Sequence, residues 1–265
     1  MEMVLGSRWT EDETKLALFL YFQLPFGKLH SGTQEIVQLA AAIGRTPSSV
    51  AMKLSNFASL DPKITESGRK GLDGASKLDR QMFARFESDW TGLVSEADAL
   101  WNSLVESAEP PRLRESSSPY EFEPYLGDST YQRIVEQRAG QNFFRRAVLA
   151  NFENRCCITG IAEARLLNAS HVKPWEADVA NRHNPANGFA LSATFDRAFD
   201  RGLITIDCGG EVMVSRQLAE SKDDATREHF SRYVGRRVFT PIRFNPDPAL
   251  LAWHNDNVYV DSVEN

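Results

Sequence analysis

The sequence is poor in cysteine and has no long uninterrupted run of apolar residues. Its three cysteines, Cys156, Cys157 and Cys208, are too few for the disulfide framework of a small secreted domain. Cys156 and Cys157 are adjacent, so on a strand they would face opposite sides and not share one zinc ion. No apolar segment approaches the ~20 residues of a membrane-spanning helix, and the first residues lack the basic-then-apolar order of a signal peptide. The expectation is a cytoplasmic protein without a membrane partner. Nor is positive charge in excess. Thirty Lys and Arg residues face 36 Asp and Glu, for a net charge of −6, which argues against a surface coated in nucleic acid. Internal repeats and long low-complexity tracts are missing as well.

What remains is an ordinary globular composition, 42% hydrophobic and 25% charged. A chain of 265 residues suffices for one large domain or two of usual size, with a real core. Charge varies along it. Over 131–182 the basic residues Arg133, Arg138, Arg145, Arg146, Arg155, Arg165, Lys173 and Arg182 outnumber the acidic ones. A locally positive face on an acidic protein can still bind phosphate; a solvated mixed surface is the plainer alternative.

The first hundred residues read as helices. Thr10 with Glu13 three residues later forms a capping box for a helix over 9–24. A second helix spans 33–43 and is broken by Gly44; Thr46 and Pro47 then start a third, with Val50, Leu54 and Phe57 as its apolar stripe. The pair resembles a helix-turn-helix unit, whose outer face would present Ser49, Lys53 and Asn56 to base edges or phosphates. A plain helical bundle with a polar outer face fits the same pattern. Residues 63–77 read as a glycine-rich basic loop, and 77–107 as helices packed on the first three. Trp9, Tyr21, Phe22, Phe26 and Phe57 are available to stack on an extruded base, or simply to fill a core. Residues 109–128 contain four prolines and three serines and read as a linker. The expected division is therefore a helical domain over 1–108, a linker over 109–128 and a second domain over 129–265. A helix over 130–152 opens the latter.

The chain is organised around 156–206, CCITGIAEARLLNASHVKPWEADVANRHNPANGFALSATFDRAFDRGLITI. It reads as a strand ending at Gly160, a second strand delivering Ser170 and His171, a long loop with the turn formers Asn184 to Gly188, and a helix over ATFDRAFD stopped by Gly202. A short strand over 211–215, a polar helical stretch to Tyr233 and a helix over 248–255 complete the domain. One imidazole, one loop asparagine and one helical carboxylate are thereby expected to converge.

CCITG, LLNASHVKPW and NPANGFALSATFDRAFDRGLITI together resemble the HNH nuclease family, in its bacterial restriction-type branch. The resemblance runs from about residue 131 to the C-terminus. It implies a ββα-metal finger, and so an α+β chain with an all-α N-terminal domain. His171 would be the general base, since a neutral imidazole near its ordinary pKa of ~6.5 can take a proton from water. Asn187 matches the family's central asparagine and would tie the loop together, with Asn184 as the competing choice. Asp196 stands where many relatives carry a final histidine and would be a hard oxygen ligand for a single Mg²⁺ or Mn²⁺. Asp200, one turn on, is either a further ligand or a helix-terminal residue bonding the Arg201–Gly202 turn. Ser170 occupies the first ligand position, where relatives have an acid or histidine. Lys173, Arg197 and Arg201 flank the site and would hold phosphates or pair with nearby acids.

The reading is a metal-dependent endonuclease acting on double-stranded DNA, as a homodimer, with the helical domain selecting the target. Some architectures of this kind require modified cytosine such as 5-methylcytosine. Against it stands a DNA-binding protein with a degenerate, inactive finger, favoured by Ser170. A toxin-type nuclease without sequence choice fits the folded N-terminal domain poorly.

Overall fold

In a computed structural model, which describes residues 7–106 and 128–261, the helix signals act where the sequence puts them. The Thr10 hydroxyl accepts from the Glu13 amide, the Glu13 carboxylate accepts from the Thr10 amide, and α1 (Glu11–Gln23) begins there. Two orphan N–H groups are thereby satisfied. Helix α2 (Gln34–Ala42) follows a 3-10 turn, and α3 (Pro47–Leu60) starts with Thr46 as its cap. Then come a single turn, α4 (Pro62–Glu66), and two longer helices, α5 (Lys77–Ser88) and α6 (Trp90–Glu106). Leu18, Tyr21, Phe22, Leu54, Phe57 and Phe86 are buried among these helices, and Phe22 meets Phe83, Phe86 and Trp90 at ring separations of 5.0–5.7 Å. Tyr21, Phe22 and Phe57 are thus core residues.

The expected recognition face of α3 is covered from within. Lys53 is buried, its ammonium 2.7 Å from Asp79 at the start of α5, and lies over the Trp9 ring, which Arg45 also faces. The Asp79 carboxylate accepts from the Ser76 amide as well, closing a second capping box. Further along α3, Leu72 donates to the Ser55 carbonyl, and half-buried Asn56 sits against Gly74, where an added Cβ would lie 3.0 Å from its side-chain oxygen. The 63–77 stretch, read as a glycine-rich basic loop, is partly helical and packs on α3. Lys53 is therefore not available to an open reading face, and Ser49 and Asn56 are half-buried; the exposed side chains of that helix include Ser48 and Met52. The sequence could not reveal this, because an apolar stripe marks only one covered face of a helix.

Helix α7 (Asp128–Asn151) leads into the second half of the chain. The structure divides into two units, Met1–Phe143 and Phe144–Asn265; the expected linker falls, except for Asp128 at the start of α7, outside the described residues. In the second unit, β1 (Leu167–His171) pairs antiparallel with β2 (Gly188–Ser192), with Leu167 opposite Ser192 and His171 opposite Gly188. Helix α8 (Ala193–Asp200) continues directly from β2. A second antiparallel pair, β3 (Ile204–Ile206) with β4 (Val212–Val214), follows. Helices α9 (Arg216–Ala219), α10 (Asp224–Ser231) and α11 (Pro248–Asn257) complete the α+β unit.

One strand was misplaced by the sequence pattern. Residues 156–159 form a turn rather than a strand: the Gly160 amide donates to the Cys156 carbonyl and the Cys156 amide to the Ile161 carbonyl. This turn leans on the sheet through a single bond, from the Cys157 amide to the Ala190 carbonyl. Both cysteines are buried with free thiols. The partner of β1 is instead GFALS, buried at every position. A strand covered on both faces shows no alternation and is hard to recognise. Among the described residues, no helix is long and apolar enough to cross a membrane.

Behind α8 the turn at Gly202 is tightly enclosed. Its φ is +68° and an added Cβ would meet the Val258 carbonyl oxygen at 1.9 Å, so only glycine fits. Beside it, His254 of α11 stacks on Phe199 at 3.9 Å, with Nδ1 2.9 Å from the Thr205 hydroxyl and Nε2 3.3 Å from the Phe199 carbonyl. Burial lowers its pKa to about 4, the Phe199 carbonyl opposing the shift. Between pH ~6.5 and that value the unfolded chain binds a proton that the folded chain refuses. The His254 contribution to stability is therefore complete above ~6.5 and is lost as pH falls toward 4. Urea unfolding followed from pH 7 to pH 4 is expected to show a decline on the order of 3 kcal/mol from this group. A His254→Gln chain, less stable at pH 7, is expected to show a correspondingly shallower decline.

Candidate functional site

The loop over 172–187 is held by one buried amide. Asn187 has no exposed surface. Its side-chain oxygen accepts from the Lys173 amide at 2.8 Å, and its nitrogen donates to the carbonyls of Lys173 and Asn181 at 3.1 and 3.2 Å. Its own carbonyl accepts from the Val172 amide. The residue after His171 is thereby locked to the residue before β2. Asn184 does a local job instead: its oxygen accepts from the Ala186 amide and its nitrogen donates to Asn181.

At the end of β1 the imidazole of His171 is fixed on three sides. Its ring lies flat on Phe144, centroids 3.7 Å apart and planes 6° apart, and meets Trp175 edge-on at 5.7 Å. Nε2 is 3.0 Å from the Arg182 carbonyl oxygen. A carbonyl only accepts, so Nε2 carries the hydrogen and Nδ1 the lone pair in the neutral ring. Burial pushes the His171 pKa below its ordinary value, with the Arg182 carbonyl pulling it partly back.

The carboxylates gather separately. Successive side chains of a strand alternate in direction, and Asn168 and Ser170 are the ones that meet α8. Asn168 donates to Asp196 at 2.7 Å, and the Ser170 hydroxyl lies 3.5 Å from Asp200. The bond expected between Asp200 and the Arg201–Gly202 turn is replaced by this one to Ser170. The Asp200 carboxyl is raised above the usual carboxylate range by desolvation first and by neighbouring Asp196 second, with Ser170, Arg197 and Arg201 opposing. Asp196 and Asp200 thus bond side chains of β1 itself, whereas the imidazole is held by the Arg182 carbonyl and by Phe144.

Among the described residues no three His, Cys, Asp or Glu side chains form a ready metal cluster. The donor chemistry still fits Mg²⁺ or Mn²⁺, because Mg²⁺ commonly takes one or two carboxylates and completes its shell with water and substrate phosphate. Asp196 and Asp200 are two oxygen donors whose mutual repulsion a cation would relieve. The flanking basic residues differ in availability. Lys173 is 3.7 Å from Asp178 and 5.3 Å from the Trp253 ring centre, whereas Arg197 and Arg201 are exposed.

Three neighbours of the imidazole carry no motif signal. Phe144 lies in α7 and Trp175 in the loop after β1. His183 is buried against Trp175 with neither ring nitrogen partnered among the described residues, and burial, aided by Arg182 and His171, lowers its pKa to about 4. Removing the bracketing amide is expected to cost more than removing the turn amide. Asn187→Ala should lower the unfolding free energy by about 2–3 kcal/mol, because it leaves backbone groups of Lys173 and Asn181 unpaired. Asn184→Ala loses a capping bond worth about 1 kcal/mol. Equal losses in chemical denaturation would show that the bracket is not what holds the loop.

Comparison with known proteins agrees with this geometry where it is most specific. No curated protein matches the chain. Residues 156–207, which span the Cys156 turn, β1, the bracketed loop, β2, α8 and β3, match the family model HNH_2, described as HNH endonuclease. The chain therefore carries an HNH endonuclease domain over residues 156–207, which supports a nuclease of the HNH type.

Proposed function

We propose that the protein is a metal-dependent restriction-type endonuclease that hydrolyses phosphodiester bonds in double-stranded DNA. The observation that carries this is the state of His171: a neutral, desolvated imidazole at the end of β1, with Nε2 occupied by the Arg182 carbonyl and Nδ1 left to accept. That is what a general base needs near neutral pH. Nδ1 would take the proton of the attacking water. Asp196 and Asp200, with Ser170 beside them, would hold Mg²⁺ or Mn²⁺. Such an ion supplies stabilisation of the charge that builds on the scissile phosphate and the departing 3′ oxygen. Exposed Arg197 and Arg201 next to the acids would contact flanking phosphates.

The helical unit would select the target, and a preference for 5-methylcytosine or a related base belongs to the same reading. Cutting both strands with one site per chain usually takes two copies, so a homodimer is expected; light scattering that shows a monomer with and without DNA would count against it. Three unpaired thiols suit the cytoplasm.

A second reading rests on Ser170, a neutral hydroxyl in the first ligand position: a DNA-binding protein whose finger is inactive. Nicking of supercoiled plasmid separates the two. The wild-type chain is expected to nick with Mg²⁺ or Mn²⁺ and not with chelator, and His171→Ala to be slower by about 10²–10⁴-fold, the usual worth of a general base. Wild-type protein that binds plasmid but leaves it intact in both metals would support the binder. Parallel digestion of methylated and unmethylated copies of one phage genome then reads out base preference.

A further inference from the structure

Gly188 stands opposite His171 in the β1–β2 ladder, and its missing side chain has a specific use. A Cβ built there would lie 2.6 Å from the tip of the Phe144 ring and 2.7 Å from a methyl of Val148. Val148 follows Phe144 by one turn of α7, so both side chains fall on one helix face. Because position 188 is empty, that face closes on the strand end and the phenyl ring slides flat against the imidazole at 3.7 Å. Arg145, the next residue of α7, donates to the Leu167 carbonyl at 2.6 Å, which ties the same helix to the start of the strand carrying His171. The contact has a geometry that packing alone does not demand. Aromatic pairs prefer offset or edge-to-face arrangements, yet these planes lie 6° apart, while Trp175 stands at 86° to the imidazole and the Arg182 carbonyl holds Nε2.

We infer that Phe144 is a positioning residue for the base: a flat platform, admitted by Gly188, that holds the His171 ring with Nδ1 directed at the reacting water. The assignment rests on His171 acting as the base. It adds a consequence for the reaction itself. When Nδ1 takes the proton, an O–H bond of water breaks, an N–H bond forms, and the imidazole becomes a cation lying on the negative face of the phenyl ring. The platform therefore favours the state that follows proton transfer as well as the orientation that precedes it.

The test uses the full chain and plasmid nicking in Mg²⁺ or Mn²⁺. Phe144→Leu and Phe144→Met keep an apolar side chain and remove the flat face. Both are expected to lower kcat by roughly tenfold to a hundredfold, the cost of a misplaced reacting group, with KM within about twofold of wild type. Gly188→Ala, which pushes the ring aside, is expected to do the same. The decisive arm is chemical rescue. His171→Gly leaves a slot above Phe144, and added free imidazole is expected to restore nicking there but not in His171→Gly combined with Phe144→Met. Circular dichroism identifies any variant that has not folded, and the other Phe144 variant then takes its place. Unchanged kcat in the Phe144 variants, or rescue that is equal with and without the phenyl ring, or no rescue even with Phe144 intact, would overturn the platform. Full activity of His171→Gly without imidazole would instead overturn the base assignment on which it rests, so the two failures are told apart.

Discussion

The nuclease unit depends on one side-chain amide performing a backbone's work. A two-stranded sheet whose strands are joined by residues 172–187 has no tight turn to fix its register, and a slip by one residue would turn every side chain to the other face. Asn187 replaces the turn. By accepting from and donating to Lys173 while also holding Asn181, it closes the loop at its base with bonds of 2.8–3.2 Å. Because it is wholly buried, each bond is made in a medium where leaving it unmade is expensive. The register that follows places His171 opposite Gly188, and the space for the phenyl platform depends on that pairing. The chemistry proposed for the imidazole thus begins at a residue that need not touch substrate.

Much of this was legible because it is written in local rules. The capping box at Thr10, the Pro47 helix start, the stop at Gly202 and the apolar face of ATFDRAFD each specify an element through neighbours three or four residues away. The order of motifs from Cys156 to Ile206 pointed to the HNH family for the same reason. What was not legible is what depends on distant partners. Lys53 looked like a solvent-facing reader because its charge lies opposite the stripe of α3; its partner Asp79 lies 26 residues on, in another helix. Phe144 gave no hint of stacking on a histidine 27 positions later. The strand assigned to Cys156 failed because a short apolar run gives the same signal in a buried turn as in a strand.

Three enclosed imidazoles in the unit, His183 and His254 buried and His171 half-buried, show how environment rather than residue type assigns a role. All three are pushed toward the neutral form by desolvation. His254 has a polar atom near each nitrogen and a ring against Phe199, so both its polar ends are matched and it behaves as core. His183 is buried without a hydrogen-bond partner for either nitrogen among the described residues, and what it contributes there is the apolar edge of its ring against Trp175. His171 alone is matched at one nitrogen and left with a lone pair at the other. A histidine satisfied at both ends is poorly suited to accept a proton, and one enclosed at both ends has no route for it; the half-satisfied ring avoids both limits.

The carboxylates and the imidazole have different hydrogen-bond partners, and this suits the proposed chemistry. Had Asp196 or Asp200 approached His171 directly, the negative charge would have raised the imidazole's pKa and favoured its protonated form, which cannot act as a base. With the acids bonded to Asn168 and Ser170, desolvation lowers the pKa of the ring with the Arg182 carbonyl opposing it. The acids in turn crowd each other enough that desolvation and mutual repulsion raise Asp200, an arrangement that a divalent cation stabilises without calling on the histidine as a ligand. On the proposed reading one five-residue strand supplies, from adjacent residues, the base His171 and Ser170, a partner of the cation-binding acids.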